Sequence, residues 1–197
     1  MPSYELRRDL PVFEIYSGPN GARLEIHPWF FADGHQYLGI TRILPPHTGK
    51  GPAHTHTGIT QHCFLLDGDR ARCRRSLRSA TLTTDDTLMI PPGVAHIDPY
   101  NDTDHPIVVR TLYSPGPVWM LSFGRTHGQA LRDGNTNSQQ ELRFLHLLSM
   151  LGAPGSVTYA AAIPRVVQRR ILLPLATRLA RRHGYAPAAG LRAHIFE

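Results

Sequence analysis

Turn-forming residues cut the first two thirds of the chain into short apolar segments, and few folds accept that pattern. Gly18-Pro19-Asn20-Gly21, Asp67-Gly68-Asp69 and Pro91-Pro92-Gly93 are three of the breaks, in a chain of 197 residues that holds seventeen glycines and seventeen prolines. Glycine supplies positive φ and proline a preset turn dihedral, so such clusters end one strand and launch the next. Strand-like runs fall between them at 37–44, 54–56, 61–66, 71–74, 80–83, 87–90, 106–112 and 118–122. Each is short and bounded by turn residues, which predicts an all-β barrel or sandwich over residues 1–123, with further short strands on either side of the 18–21 turn.

The texture changes after Phe123. Residues 124–137 read as a polar linker, and Ser138-Gln139-Gln140-Glu141 before an apolar run has the spacing of a capping box, predicting a helix from there to about 151. Residues 138–197 then read as a basic helical extension. Its second half, 164–183, is helical but broken at Pro174, because proline lacks a donor and clashes within a helix yet sits well in a first turn. From Pro174 onward Leu175, Ala176, Leu179 and Ala180 share one side and Arg178, Arg181 and Arg182 the other.

The net charge of +6 belongs to this tail. Residues 151–197 hold seven arginines and a single acid, Glu197, whereas the rest of the chain carries equal numbers of basic and acidic groups. The default role for the tail is packing of its apolar side against the barrel or a second subunit; a basic amphipathic helix also permits contact with an anionic membrane surface. With few aromatics among the arginines, no helix-turn-helix signature and no zinc-finger spacing, sequence-specific nucleic-acid binding is not expected. The first ten residues carry charges of both signs and no apolar core, and no run of eighteen apolar residues occurs, so the chain is expected to be soluble and cytoplasmic. Two cysteines do not make a disulfide scaffold and fit a reducing compartment. A three-residue hairpin loop at 67–69 would still place Cys63 opposite Cys73, leaving a local bridge open.

Within the strand-rich part, His54-Thr55-His56 is answered forty residues later by His96, just after the Pro91-Pro92-Gly93 turn. A strand sends alternate side chains to one face, so His-x-His delivers two imidazoles side by side, and a neighbouring strand can add a third. That is the donor set of a metal site. Iron, zinc, nickel, manganese and copper suit three imidazoles about equally, so one divalent transition metal is expected without its identity.

These residues resemble the two motifs of the cupin family. His54 and His56 fit the first motif, Gln61 stands where a glutamate is usual, and Gly68 follows at the expected interval. Pro91, Gly93 and His96 fit the second; Asp85 stands in place of its first glycine, and Tyr100 takes the asparagine position with Asn101 beside it. The match covers about residues 36–122. It implies a small antiparallel jelly-roll β-barrel, with a metal held near the mouth by three histidines and usually a glutamate, and commonly a homodimer. Here His54, His56, His96 and Gln61 are the candidate ligands. Glutamine offers a neutral carbonyl where glutamate brings charge, so the site is expected to have no carboxylate of its own.

Strand parity, which any bulge inverts, places further candidates around the cavity. Tyr37, Arg42, Cys63 and Arg110 are expected to contact a small-molecule substrate, and Tyr100 to move a proton. His62, adjacent to Gln61, should face outward; His47 could reach the mouth from its loop. Three functions remain open: a metal-dependent dioxygenase acting on a small organic molecule, a Lewis-acid cyclase or isomerase of the kind some cupins apply to polyketides, and a non-catalytic ligand-binding cupin. A tailoring step in secondary metabolism suits either enzyme.

Overall fold

The computed structural model describes residues 10–32 and 34–185. Eleven strands run in chain order as β1 Glu14–Ser17, β2 Arg23–Ala32, β3 His35–Leu44, β4 His54–His56, β5 Thr60–Asp67, β6 Ala71–Arg75, β7 Arg78–Leu82, β8 Leu88–Ile90, β9 His96–Tyr100, β10 Ile107–Ser114 and β11 Thr158–Ala160. They form two antiparallel sheets, one ordered β1-β2-β3-β10-β5-β8 and the other β11-β4-β9-β6-β7. Inside these, the order β3-β10-β5-β8 faces β4-β9-β6-β7. Successive strands from β3 to β10 thus alternate between the sheets, except that β6 and β7 form a hairpin within one of them, which is the double Greek key of the jelly roll and the fold the cupin motifs imply.

Register decides which residues enter the barrel. Across the first sheet Leu38, Tyr113, Gln61 and Ile90 share one rung, and Ile40, Thr111, Cys63 and Leu88 the next. The closed end is filled by Leu44, Cys63, Leu65, Ala71, Leu82, Ile90, Ile107 and Val109. Cys63 and Cys73 are both buried and free, because β5 and β6 lie in different sheets and the 67–69 turn crosses between them.

The open end is covered by helices. Helix α1, Val118–Arg132, occupies the last run expected as strand and most of the expected polar linker. Its two interior glycines make it look loop-like, yet both serve close packing: a Cβ at Gly124 would stand 3.0 Å from Ile40 Cδ1, and one at Gly128 would overlap the Tyr16 ring. Helix α2, Phe144–Leu151, begins later than the capping-box reading placed it. Asn137 takes the turn instead, its Oδ1 accepting from the backbone N–H of Gln139 at 2.8 Å and of Glu141 at 3.1 Å, which frees the Glu141 carboxylate for another partner.

The final helical run is not broken at Pro174. Helix α3, Arg165–Val167, continues through a π turn, Gln168–Leu172, into helix α4, Leu173–Arg182. The widened turn sits just before the proline and absorbs its missing donor. Trp119, Met120 and Leu121 of α1, Met150 and Leu151 of α2 and Leu173 of α4 bury against Leu24, Ile26, Leu38 and Ile40. The helical extension is therefore one wall of the molecule's main core. No helix of the described residues is long and apolar enough to cross a membrane.

Candidate metal centre

Two neighbouring strands of the second sheet, β4 and β9, carry the histidines. His54 pairs with His96 across β4 and β9, and the imidazole nitrogens of His54, His56 and His96 that could hold an ion all lie within 4.8 Å of one another. Their Nδ1 atoms are tied down. That of His54 donates to the Pro52 carbonyl at 3.0 Å, that of His96 to the Val94 carbonyl at 2.9 Å, and that of His56 lies 2.7 Å from Thr158 Oγ1. Such partners fix ring orientation and leave each Nε2 free to face the common centre.

Gln61 closes the set. Its Oε1 lies 3.1 Å from both His56 Nε2 and His96 Nε2, while its Nε2 donates to Asp98 Oδ1 at 2.6 Å and approaches Cys63 Sγ at 3.3 Å. Two donor atoms sharing a transition ion at about 2.1 Å stand roughly 3.0–3.5 Å apart, which these distances satisfy. The hydrogen bonding makes the same demand. A neutral His96 that donates from Nδ1 to Val94 turns a lone pair toward the Gln61 carbonyl; the other tautomer turns one toward Val94, and flipping the Gln61 amide sets its oxygen against Asp98. Each arrangement leaves acceptor facing acceptor in a buried site, at a cost of about 1–3 kcal/mol. A cation at the centre removes the conflict.

That cation is not readily a proton. Burial, followed by the neighbouring His54 and His96, pushes His56 well below its ordinary value; burial and His54 lower His96, with Asp98 opposing in both cases. A metal ion fits the donor set.

Asp98 puts a carboxylate beside the centre, outside the group of three histidines. Two residues past His96, it repeats the alternation of His54-x-His56, and its oxygens lie 3.8 Å from His54 Nε2 and 3.6 Å from His96 Nε2. Burial would raise its pKa, but His54, His96, Arg42 and the Gln61 amide together hold it below the ordinary range, so it stays ionised. Arg42 donates to Glu141 Oε1 at 2.6 Å and to the Pro99 carbonyl at 3.0 Å, placing a compensated charge pair on the adjoining wall. Burial, reinforced by Asp98, raises Tyr113 well above its usual value and keeps the phenol protonated.

A cavity of about 180 Å³ lies between barrel and helices, bounded at its polar end by His54, His56, Asp98, Arg42 and Tyr113 and elsewhere by side chains such as Trp119, Phe123, Leu147 and Leu151. Of the residues expected around it, Arg42 lines it. Cys63 does not: it lies wholly buried beneath Gln61, and burial raises its thiol pKa so that it remains a thiol. Tyr37 faces the opposite side of the sheet, stacked on Phe30 in a cluster with Phe64 and Leu112. Arg110 is on that side as well, its Nε donating to Thr41 Oγ1 at 2.9 Å.

Tyr100 is turned outward by an irregularity in β9, where Arg72 pairs with Tyr100 but Arg74 pairs with Ile97, and Lys50 Nζ sits 5.4 Å from its ring. Asn101 is buried and donates to the carbonyls of Leu44, Pro45 and His105, fastening loops at the barrel end. His62 is on the outer face of its sheet against Tyr37, and His47 pairs with Asp104 in the loops. The residues missed were Asp98, Thr158, Tyr113 and Glu141. Only Asp98 left a legible sign, the His-x-Asp alternation.

Comparison with solved structures finds the double-stranded β-helix over part of the chain. A Klebsiella pneumoniae uncharacterised conserved protein with a double-stranded β-helix domain is 16% identical, covering 51% of this chain and 84% of that one with a TM-score of 0.41. KdgF from a Halomonas species is 15% identical over 61% of this chain and 98% of its own, with a TM-score of 0.41. An RmlC-like cupin from Shewanella frigidimarina is 16% identical over 52% and 84%, with a TM-score of 0.40. Likeness at this level says nothing of substrate or chemistry. No family model and no curated protein matches the chain.

Proposed function

We propose that the chain is a metal-dependent enzyme acting on a small, largely apolar organic molecule, and that its reaction consumes dioxygen. The observation that carries this reading is the largely apolar cavity whose polar end is formed by His54 and His56 of the three-histidine cluster. His54, His56 and His96, with the Gln61 carbonyl, would hold the ion. When bound, a redox-capable divalent metal supplies a Lewis-acidic position at which substrate oxygen and dioxygen can meet. The protein's share is positioning. The helical wall supplies an apolar lining beside the reacting atoms, Tyr113 offers a phenolic donor, and Asp98 offers an ionised acceptor.

Charge points to the kind of substrate. Asp98 and Glu141 against Arg42 leave one negative charge at the cavity wall. A divalent ion reverses that to one positive charge, which a single ionised substrate oxygen, enolate or phenolate, would balance. One observation favours a second reading: Asp98, an ionised carboxylate beside the ion position, could accept a hydrogen bond from a substrate hydroxyl and orient it in a Lewis-acid isomerisation or cyclisation. The two free, buried thiols fit a reducing compartment.

The test loads the protein anaerobically with Fe(II) and adds nitric oxide as a dioxygen surrogate. The proposal predicts a high-spin iron–nitrosyl signal, absent in His96→Ala. An unchanged ferrous protein would remove the dioxygen reading, and turnover that persists under strict anaerobiosis would establish the Lewis-acid one.

A further inference from the structure

The expected packing of the last helix is half reversed. Leu173 and Ala180 are buried, and Gln168 anchors the run by donating to the carbonyls of Ala160 at 2.8 Å and Ile163 at 2.6 Å while accepting from the Ala160 N–H at 3.0 Å. Leu175 and Leu179, however, are 59% and 45% exposed, and they continue a row with Ile171 at 54% and Val167 at 36%. Residues four apart lie on one face, so these side chains form an apolar stripe pointing away from the core.

Arginines flank that stripe. Arg165, Arg169, Arg170, Arg178, Arg181 and Arg182 lie on the same helical run, and no acidic residue occurs anywhere in 142–196. Among the described residues none of the six forms an ion pair; Arg165 instead sits over the Tyr159 ring at 4.7 Å. We infer that this face docks on an anionic lipid surface, apolar stripe in the headgroup boundary and arginines on the phosphates.

Charge selects that occupant over a second copy of the chain. A two-fold contact through the stripe would bring both arginine sets together, with no acid on that segment to answer them. Nucleic acid would meet the arginines but leave the apolar stripe in water. An amphipathic helix with a basic polar face and low overall hydrophobicity matches the lipid interface on both counts. The backing side is anchored to β11 and α2, so the face is presented by the folded protein.

The experiment uses the full chain in co-flotation with vesicles of mixed phosphatidylcholine and phosphatidylglycerol, against pure phosphatidylcholine. Binding is expected only to the anionic vesicles, weakening with salt. Arg178→Glu with Arg182→Glu should weaken it at least about tenfold. Leu175→Glu with Leu179→Glu should abolish it, and the circular dichroism spectrum should not change, since all four side chains are away from the core. Absence of binding, equal binding to both vesicle types or binding unaffected by the variants would overturn the inference. So would a dimer that the leucine substitutions dissolve without any vesicle binding, or duplex DNA binding in place of lipid binding.

Discussion

Thr158 shows how much the centre depends on single residues outside the ligand set. It comes from a strand a hundred residues downstream of His56 and holds that ring's Nδ1 at 2.7 Å. Thr158→Val keeps the shape and removes the hydroxyl, so metal affinity should fall by about 10–100-fold with the fold intact, as competition against a fluorescent chelator would measure. Undiminished affinity would mean that the ring is positioned by packing alone. Acidification provides a second check at this scale. Burial lowers His56 and His96 at the centre and His27 on the outer face of the sheet. Below about pH 6.5 the unfolded chain therefore binds more protons than the folded one, and stability falls as pH drops from there through the folded-state values, by about 1.4 kcal/mol per pH unit per histidine. Asp98 is depressed, so its contribution holds until about pH 4 and is lost on further acidification. Urea unfolding of chelator-treated protein at about pH 7.5 and about pH 5.5 should show the lower midpoint at the lower pH, and equal midpoints would contradict the buried neutral histidines.

At the scale of elements, strands were far more legible than helices, for a physical reason. The runs expected at 54–56, 61–66 and 71–74 correspond to β4, β5 and β6 because turn residues bound them on both sides. Helix α1 is not legible in the sequence because its glycines lower helix propensity by about 1 kcal/mol each, a cost the tertiary contacts outweigh. Gly128→Ala should therefore destabilise the protein by about 1–3 kcal/mol even though alanine favours helix, since the new methyl meets the Tyr16 ring. A raised melting temperature in thermal unfolding would show that the ring simply yields. The same divide runs through the site. The three histidines announced themselves by spacing, and Asp98 could have. Tyr100 was misplaced because nothing in His96-Ile97-Asp98-Pro99-Tyr100 marks the irregularity that turns it outward. Thr158 and Glu141 arrive from outside the motif region, where spacing carries no information about their distant partners.

For the whole molecule, the barrel and the helices form one unit. Sequence texture separates them at Phe123, but Leu24, Ile26, Leu38 and Ile40 share one buried cluster with residues of α1, α2 and α4, and Thr158 and Glu141 reach the site from the helical side. A chain ending at residue 117 should accordingly be insoluble or molten, seen as loss of cooperative thermal unfolding; a cooperative, metal-retaining fragment would show that the extension is an independent domain. The central claim is that His54, His56 and His96 hold a transition metal at the end of the cavity. Elemental analysis of the full chain purified without chelators tests it most directly. The expected result is one divalent transition metal per chain, falling to background in His56→Ala and His96→Ala while both variants remain folded. Wild-type protein without stoichiometric metal after reconstitution, or a metal content that the two substitutions leave unchanged, would contradict it.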